Sequence, residues 1–293
     1  MEIQWELILF TTFIAWSAGL FGAQALAAAY GQAKKSQVAS WIVAALFLVI
    51  GGIAVFLHLQ HWERIFNGFG HLTSGITQEL IALVVLALVA VIYLVSLKRS
   101  EDGASVPKWL AWLAVIISVI LVFVMAHSYV MSARPAWDSF IWVAYILGNS
   151  LVLGSATLAA IMAFKGETDF KQIGMWVLVG AAANLVFALV YAIFIQMVGA
   201  SFTEVGLYFD PTHPTKAMTD INGVVGGQAM LLWVGAVILG AALPAVAAFV
   251  ARKKGDAGSW RLWGIVIIIC AIVGAITMRV VFYSMGLSVF MFY

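Results

Sequence analysis

The chain has 293 residues, of which 64% are hydrophobic and only 10% charged, and its mean hydropathy is +1.06. A soluble domain carries about 25% charged residues, so this composition excludes a soluble globular protein and points to an integral membrane protein. The net charge of +2 argues against a nucleic-acid partner. The single cysteine, Cys270, excludes a disulfide framework and a cysteine cluster for zinc or iron–sulfur ligation.

The N-terminus reads MEIQWELILF. It lacks the basic region of a cleaved signal peptide, and the apolar run that follows is long enough to span, so it is expected to stay as the first helix. A membrane-spanning helix needs about 20 mostly apolar residues. Eight runs meet that length, at 7–29, 38–58, 78–97, 109–131, 140–164, 173–198, 228–251 and 262–285. None alternates with period two and each exceeds strand length, which excludes a β-barrel. Pro244 is the only proline within a run, and no internal repeat is visible.

Orientation follows from the basic residues of the links. Lys34, Lys35, Lys98, Arg99, Lys108, Lys165, Lys171, Arg252, Lys253, Lys254 and Arg261 fall on one side, against Arg64, Arg134 and Lys216 on the other. Eleven against three places the basic links in the cytoplasm. The expectation is therefore an all-α integral membrane protein, a single polytopic domain over 1–293. Its eight transmembrane helices would have both termini on the outer (periplasmic) side, with external links at about 59–77, 132–139 and 199–227. The 199–227 link, with Asp210, Pro211, Pro214, Lys216 and Asp220, reads either as a solvated loop or as a docking surface for an external partner.

Ionisable residues in spans are expensive and mark function. Here they collect at the outer end. His58 ends the second span, Glu79 opens the third, His127 lies near the outer end of the fourth, Arg134 and Asp138 follow it, and Arg279 comes late in the eighth. The cytoplasmic half of the spans has no embedded charge. Each residue also has a structural reading. His58 and His127 suit hydrogen-bonded helix ends, Glu79 suits a helix N-terminus, and Arg279 could reach outward to the interface. Glu63 and Arg64 could pair in a solvated loop, and Asn149, Asn184 and Gln196 suit bonds between helices. The one-sidedness favours chemistry near the outer surface.

Quinol oxidation fits that pattern. A quinol releases two electrons and two protons, so its hydroxyls need partners, at least one of which accepts a proton. Histidine suits that task near neutral pH, and a carboxylate at the membrane boundary can be tuned to it. His58 and Glu79 bracket one external hairpin, in which Trp62, Phe66 and Phe69 can supply apolar walls.

At these residues the sequence resembles the family of membrane anchor subunits of anaerobic dimethyl sulfoxide reductase. The matching signature is His58-Leu59, Arg64, Asn67 and Gln78-Glu79, with Arg279, Phe282 and Tyr283 in the last span. Eight spans with both ends outside match too, so the resemblance covers essentially the whole sequence. It departs at Gln60-His61-Trp62, where the family commonly has Gly-Ser-Pro. The resemblance implies catalytic roles for His58 and Glu79 and quinol binding by Arg64, Asn67, Arg279, Trp62, His61 and Tyr283. It implies menaquinol (and menaquinone as product) as the bound substrate and no haem or metal in this polypeptide. It further implies an iron–sulfur electron-transfer subunit and a molybdopterin catalytic subunit on the outer face, on a bacterial cytoplasmic (inner) membrane. Trp62, Arg134 and the 199–227 link are the candidate contacts to the iron–sulfur subunit.

Three alternatives remain open on the sequence. A polysulfide-reductase-type quinone anchor has similar needs. A dihaem cytochrome b anchor needs two axial ligands per haem, usually histidines, and only His58 and His127 suit. A secondary transporter would place polar groups at the midplane in repeated halves.

Overall fold

The computed structural model describes residues 3–59, 70–132, 134–201 and 225–286. Within these, eight helices are long and apolar enough to cross a membrane, and no strand occurs. They are α1 (Trp5–Ala29), α2 (Gln37–His58), α3 (Gly75–Arg99), α4 (Lys108–His127), α5 (Phe140–Phe164), α6 (Lys171–Ser201), α7 (Met230–Lys254) and α8 (Ala257–Ser284).

Two boundaries differ from the apolar runs for local reasons. α4 stops at His127 rather than at 131, because Val130 N–H turns back to the His127 carbonyl at 2.9 Å. α8 starts at Ala257 rather than at 262, because the Asp256 carboxylate caps it, accepting from Ser259 N at 2.8 Å and from Ser259 Oγ at 2.6 Å.

Burial sorts the helices into a core and a rim. α1 and α5 bury residues all round, whereas α2 buries only the stripe Gln37, Ser40, Ala44, Gly51 and Ala54. α5 packs on α1, α6 and α8, and α3 leans on α4 at the periphery. The large apolar residues on the other faces of α2 and α3, such as Ile42, Leu46, Val49, Leu88 and Val91, are exposed and suited to lipid.

Lipid tails are as apolar as leucine, so helices in a membrane gain cohesion from close backbone approach and from hydrogen bonds. Both devices are present. A Cβ on Gly154 would overlap the backbone of Gly19, so α1 and α5 cross in direct main-chain contact. Around that crossing Trp16 Nε1 donates to Thr157 Oγ1 at 2.8 Å, and Ser150 Oγ donates to the Ala15 carbonyl at 2.7 Å.

The first half of α7, Met230–Ala242, is wound as a π-helix, and Leu243–Lys254 is α-helical. Pro244 sits at the junction. Its ring excludes a normal i−4 bond, and a wider winding just before it removes the clash. Asn184 on α6 donates to the Gly240 carbonyl at 3.1 Å. Asn149 also bonds across helices, as expected, whereas Gln196 is exposed and bonds to none of the described residues.

The links fall at two ends. At the basic end Lys34 pairs with Asp102 at 3.2 Å, Glu167 accepts from Lys35 N at 2.9 Å, and Arg261 Nε donates to the Ala163 carbonyl at 2.9 Å. The first two contacts tie three of the basic links together, and the third joins the start of α8 to the end of α5. Glu79, Arg134 and the end of α8 lie at the opposite end.

Candidate functional site

Four helices and the α4–α5 link meet at the end opposite the basic links. α3 brings Glu79 in its second turn. The Ser128 hydroxyl, one residue beyond α4, donates to Glu79 Oε1 and also lies 2.9 Å from the Met125 carbonyl. The approach is tight because position 75 has no side chain: a Cβ there would stand 2.8 Å from Ser128 Cβ.

Tyr129 follows Ser128 and lies edge-on to the Tyr283 ring, with centroids 5.7 Å apart. Burial is the largest cause holding the Tyr129 phenol well above its usual pKa, with the neighbouring Tyr283 and Glu79 pushing the same way. Tyr129 therefore stays protonated and is a donor throughout the physiological range. The Tyr283 hydroxyl lies near Tyr129 and Thr11 but completes a hydrogen bond to neither, and it is buried. It is thus a polar group in need of a partner.

Arg279 lies one helical turn before Tyr283 on α8 and is fully buried. Its Nε donates to Thr11 Oγ1 at 3.0 Å and Nη2 to the Thr11 carbonyl at 3.2 Å. Nη1 reaches the Ala275 carbonyl at 3.1 Å and Asn149 Oδ1 at 3.5 Å. No carboxylate among the described residues pairs with it, since the ion pair within them is Lys34–Asp102. A buried cation without an anion is costly, and here neutral oxygens alone hold it. The expectation that Arg279 could reach out to the interface is not met. The backbone of Arg279 lies about 8 Å before the helix end by the helical rise, and its guanidinium turns inward to the Ala275 and Thr11 carbonyls.

An aromatic wall closes the cluster. Trp137 stacks on Phe282 at 4.7 Å, Phe282 stacks on Trp142 at 3.7 Å, and Trp137 Nε1 donates to the Phe282 carbonyl at 2.7 Å. Arg134 lies over Trp137 at 4.5 Å and donates to the Gly286 carbonyl at 2.8 Å. This side chain fastens the α4–α5 link to the end of α8.

The cluster therefore joins Glu79, Arg279 and Tyr283 from the sequence-based set. His58 is placed differently: it is the exposed last residue of α2 and makes no hydrogen bond to the described residues. Arg64, Asn67, Trp62 and His61 lie outside the described residues, as does most of the 199–227 link. His127 is exposed between Phe123 and Phe140, with ring centroids at 5.7 Å and 5.5 Å, which suits a structural part. Ser128, Tyr129 and Thr11 are cluster members that sequence reasoning missed. Their signal was present but weak. Ser128 and Tyr129 fall at the depth of Glu79 once α3 and α4 are laid antiparallel, yet hydroxyl residues near helix ends are common. Among the described residues no group of three His, Cys, Asp or Glu could hold a metal ion.

The arrangement offers one carboxylate able to exchange a proton, two phenols held protonated or short of a partner, and a buried positive charge behind them. A search of curated protein sequences finds no match. A family profile covers residues 1–285. The chain thus belongs to the DMSO reductase anchor subunit (DmsC) family, by a match over almost its whole length.

Proposed function

We propose that this protein is the quinol-oxidising subunit of a dimethyl-sulfoxide-reductase-type molybdoenzyme complex, taking electrons from menaquinol and passing them to an external iron–sulfur subunit. Its family makes it the membrane anchor of such a complex, associated with catalytic and iron–sulfur subunits that carry the cofactors. The observation that carries the quinol reading is the meeting of Glu79 with Tyr129, Tyr283 and the unpaired Arg279 at one end of the bundle.

In this reading the Glu79 carboxylate, oriented by Ser128, takes a proton from one quinol hydroxyl. His58, at the end of the neighbouring α2, takes the second. The free Tyr283 hydroxyl hydrogen-bonds a quinol oxygen. Arg279 supplies a fixed positive field that favours the negative charge growing on the ring oxygen as its proton leaves. Trp137 and Phe282 shield the ring from water. Arg64, Asn67, Trp62 and His61, outside the described residues, are assigned to quinol binding by the family resemblance alone. Two protons and two electrons leave the quinol, and menaquinone remains.

The excess of basic links supports an orientation with the site end and both termini outside, in a bacterial cytoplasmic membrane. Protons and electrons then depart on the same side, and the step builds little membrane potential. Menaquinol-driven turnover in proteoliposomes is expected to leave a potential-sensitive dye unchanged; a large potential would overturn this orientation or the proton route. The central test is the assembled complex with Glu79→Gln and, separately, His58→Ala. Quinol-dependent activity should collapse while an artificial donor to the partner subunits still drives turnover. Survival of quinol activity in both variants would make the cluster structural.

A further inference from the structure

We propose that the basic end of the bundle holds a binding site for an anionic phospholipid headgroup, in a pocket bounded by the start of α6, the end of α7 and Trp260 of α8. The site is separate from the quinol cluster and lies at the other end of the molecule. The pocket has a volume of about 570 Å³, within the range of about 300–1,000 Å³ common for small-ligand sites. Lys171 enters it from α6, and Arg252 and Lys253 from the last turn of α7.

These three cations are available. Their side chains are exposed, and none makes a hydrogen bond or ion pair to the described residues. Lys34 and Arg261 at the same end are engaged, with Asp102 and the Ala163 carbonyl, and the other basic residues there do not line this pocket. The lining carries three cations against one carboxylate, Asp169. Asp169 accepts from Lys171 N at 3.1 Å. Asp256 caps α8 through both oxygens, and those bonds hold it below the usual carboxylate range. Both acids are turned to main-chain and hydroxyl donors, and even with Asp256 counted, three cations against two carboxylates leave the balance positive. The pocket keeps a positive field that an anion would satisfy.

Its other walls select a lipid rather than a free anion. Phe249 lines the pocket and is exposed, and Val246, one turn earlier on the same face of α7, is exposed as well. Together they offer an apolar track running from the cations toward the membrane interior, where acyl tails lie. The floor is rigid: Trp260 is fully buried, stacks on Phe170 at 6.0 Å, and fits against α6 where Gly174 has no side chain, a Cβ there meeting the ring at 2.7 Å. A phosphodiester between Lys171 and the Arg252–Lys253 pair, with its tails along Phe249, meets each of these features. Basic pockets between helix ends on the cytoplasmic side are suited to anionic headgroups in general.

The test is native mass spectrometry of the detergent-solubilised assembled complex titrated with phosphatidylglycerol or phosphatidylcholine. The natural sequence should bind phosphatidylglycerol in preference. Lys171→Gln/Arg252→Gln/Lys253→Gln should weaken that binding by at least about tenfold, the scale set by losing several cations at a headgroup. Lys98→Gln/Arg99→Gln/Lys108→Gln, which removes the same charge at the same end, should leave it intact. Should the first triple variant fail to assemble, Arg252→Gln alone carries the comparison. Equal binding of the two lipids, an equal loss in both triple variants, or displacement of the lipid by inorganic phosphate would each overturn the proposal.

Discussion

Arg279 on the last helix holds Thr11 on the first by two bonds, Nε to the hydroxyl at 3.0 Å and Nη2 to the carbonyl at 3.2 Å. This pair closes the bundle beside the candidate quinol cluster, and neutral oxygens are all that the described residues offer the guanidinium. Thr11→Val would leave Nε–H of a buried cation without its acceptor, at a cost of about 1–3 kcal/mol. The assembled complex should melt earlier and lose quinol-dependent turnover. Arg279→Lys keeps the charge but not the two-pronged geometry, so it should not restore normal turnover. If Arg279→Lys matched the natural sequence in both melting and turnover, the Thr11 clamp would be incidental.

Ser128 and Glu79 make the second relationship on which the site depends. Ser128→Ala removes the donor that orients the carboxylate while leaving the carboxylate in place. Quinol-dependent kcat/KM should fall by about tenfold, the worth of one bond to a charged group, and the artificial-donor rate should hold. Gly75→Ala acts on the same contact sterically, since its Cβ would press on Ser128 Cβ at 2.8 Å. It should reproduce the Ser128→Ala pattern without touching a polar group. An unchanged quinol rate in both variants would detach Ser128 from the reaction.

At the basic end two carboxyls link stability to pH. Asp102 is held below the usual range chiefly by Ser105 Oγ and Ala104 N, and Asp256 by the Ser259 hydroxyl and main-chain N–H. A carboxyl with a depressed folded-state pKa contributes stability that is fully present above the unfolded value, about 3.9. That contribution is lost as pH falls through the folded value. Thermal melts of the purified complex should therefore drop below about pH 4. Asp102→Asn/Asp256→Asn should flatten that acid limb, because asparagine still serves at a helix N-cap but does not titrate. An acid limb of the same steepness in the double variant would place its origin elsewhere.

The fold was legible where physics acts locally. Eight apolar runs of spanning length became eight spanning helices, because a backbone in lipid has few other ways to satisfy its polar groups. Helix ends moved where a side chain intervened, as Asp256 did for α8. The candidate cluster was legible in its costly members: charge within an apolar span is rare enough that Glu79 and Arg279 stand out in a sequence this apolar. Tyr129, Ser128 and Thr11 were not legible, because hydroxyl residues cost little anywhere in a membrane bundle. Their meaning depends on which helices touch. The inward turn of Arg279 was likewise hidden, since a late-span arginine looks the same in sequence whether it faces lipid or Thr11.

Contact between helices also explains Pro244, and it yields the sharpest test of the packing. In α-helical register the N–H of residue 244 would serve the Gly240 carbonyl, and proline has none. Asn184 reaches across from α6 and donates to that same oxygen at 3.1 Å. Asn184→Leu should therefore destabilise the protein by about 1 kcal/mol, the usual scale of a bond between membrane helices. Pro244→Ala supplies the missing N–H within α7, so in that background the cost of Asn184→Leu should shrink. The coupling in a double-mutant cycle followed by thermal melting measures the compensation. Costs that simply add would mean that Asn184 holds α6 to α7 for a reason unrelated to the proline. A coupling of about the full single-variant cost would mean that one side chain on α6 is what lets a proline stand inside a membrane span.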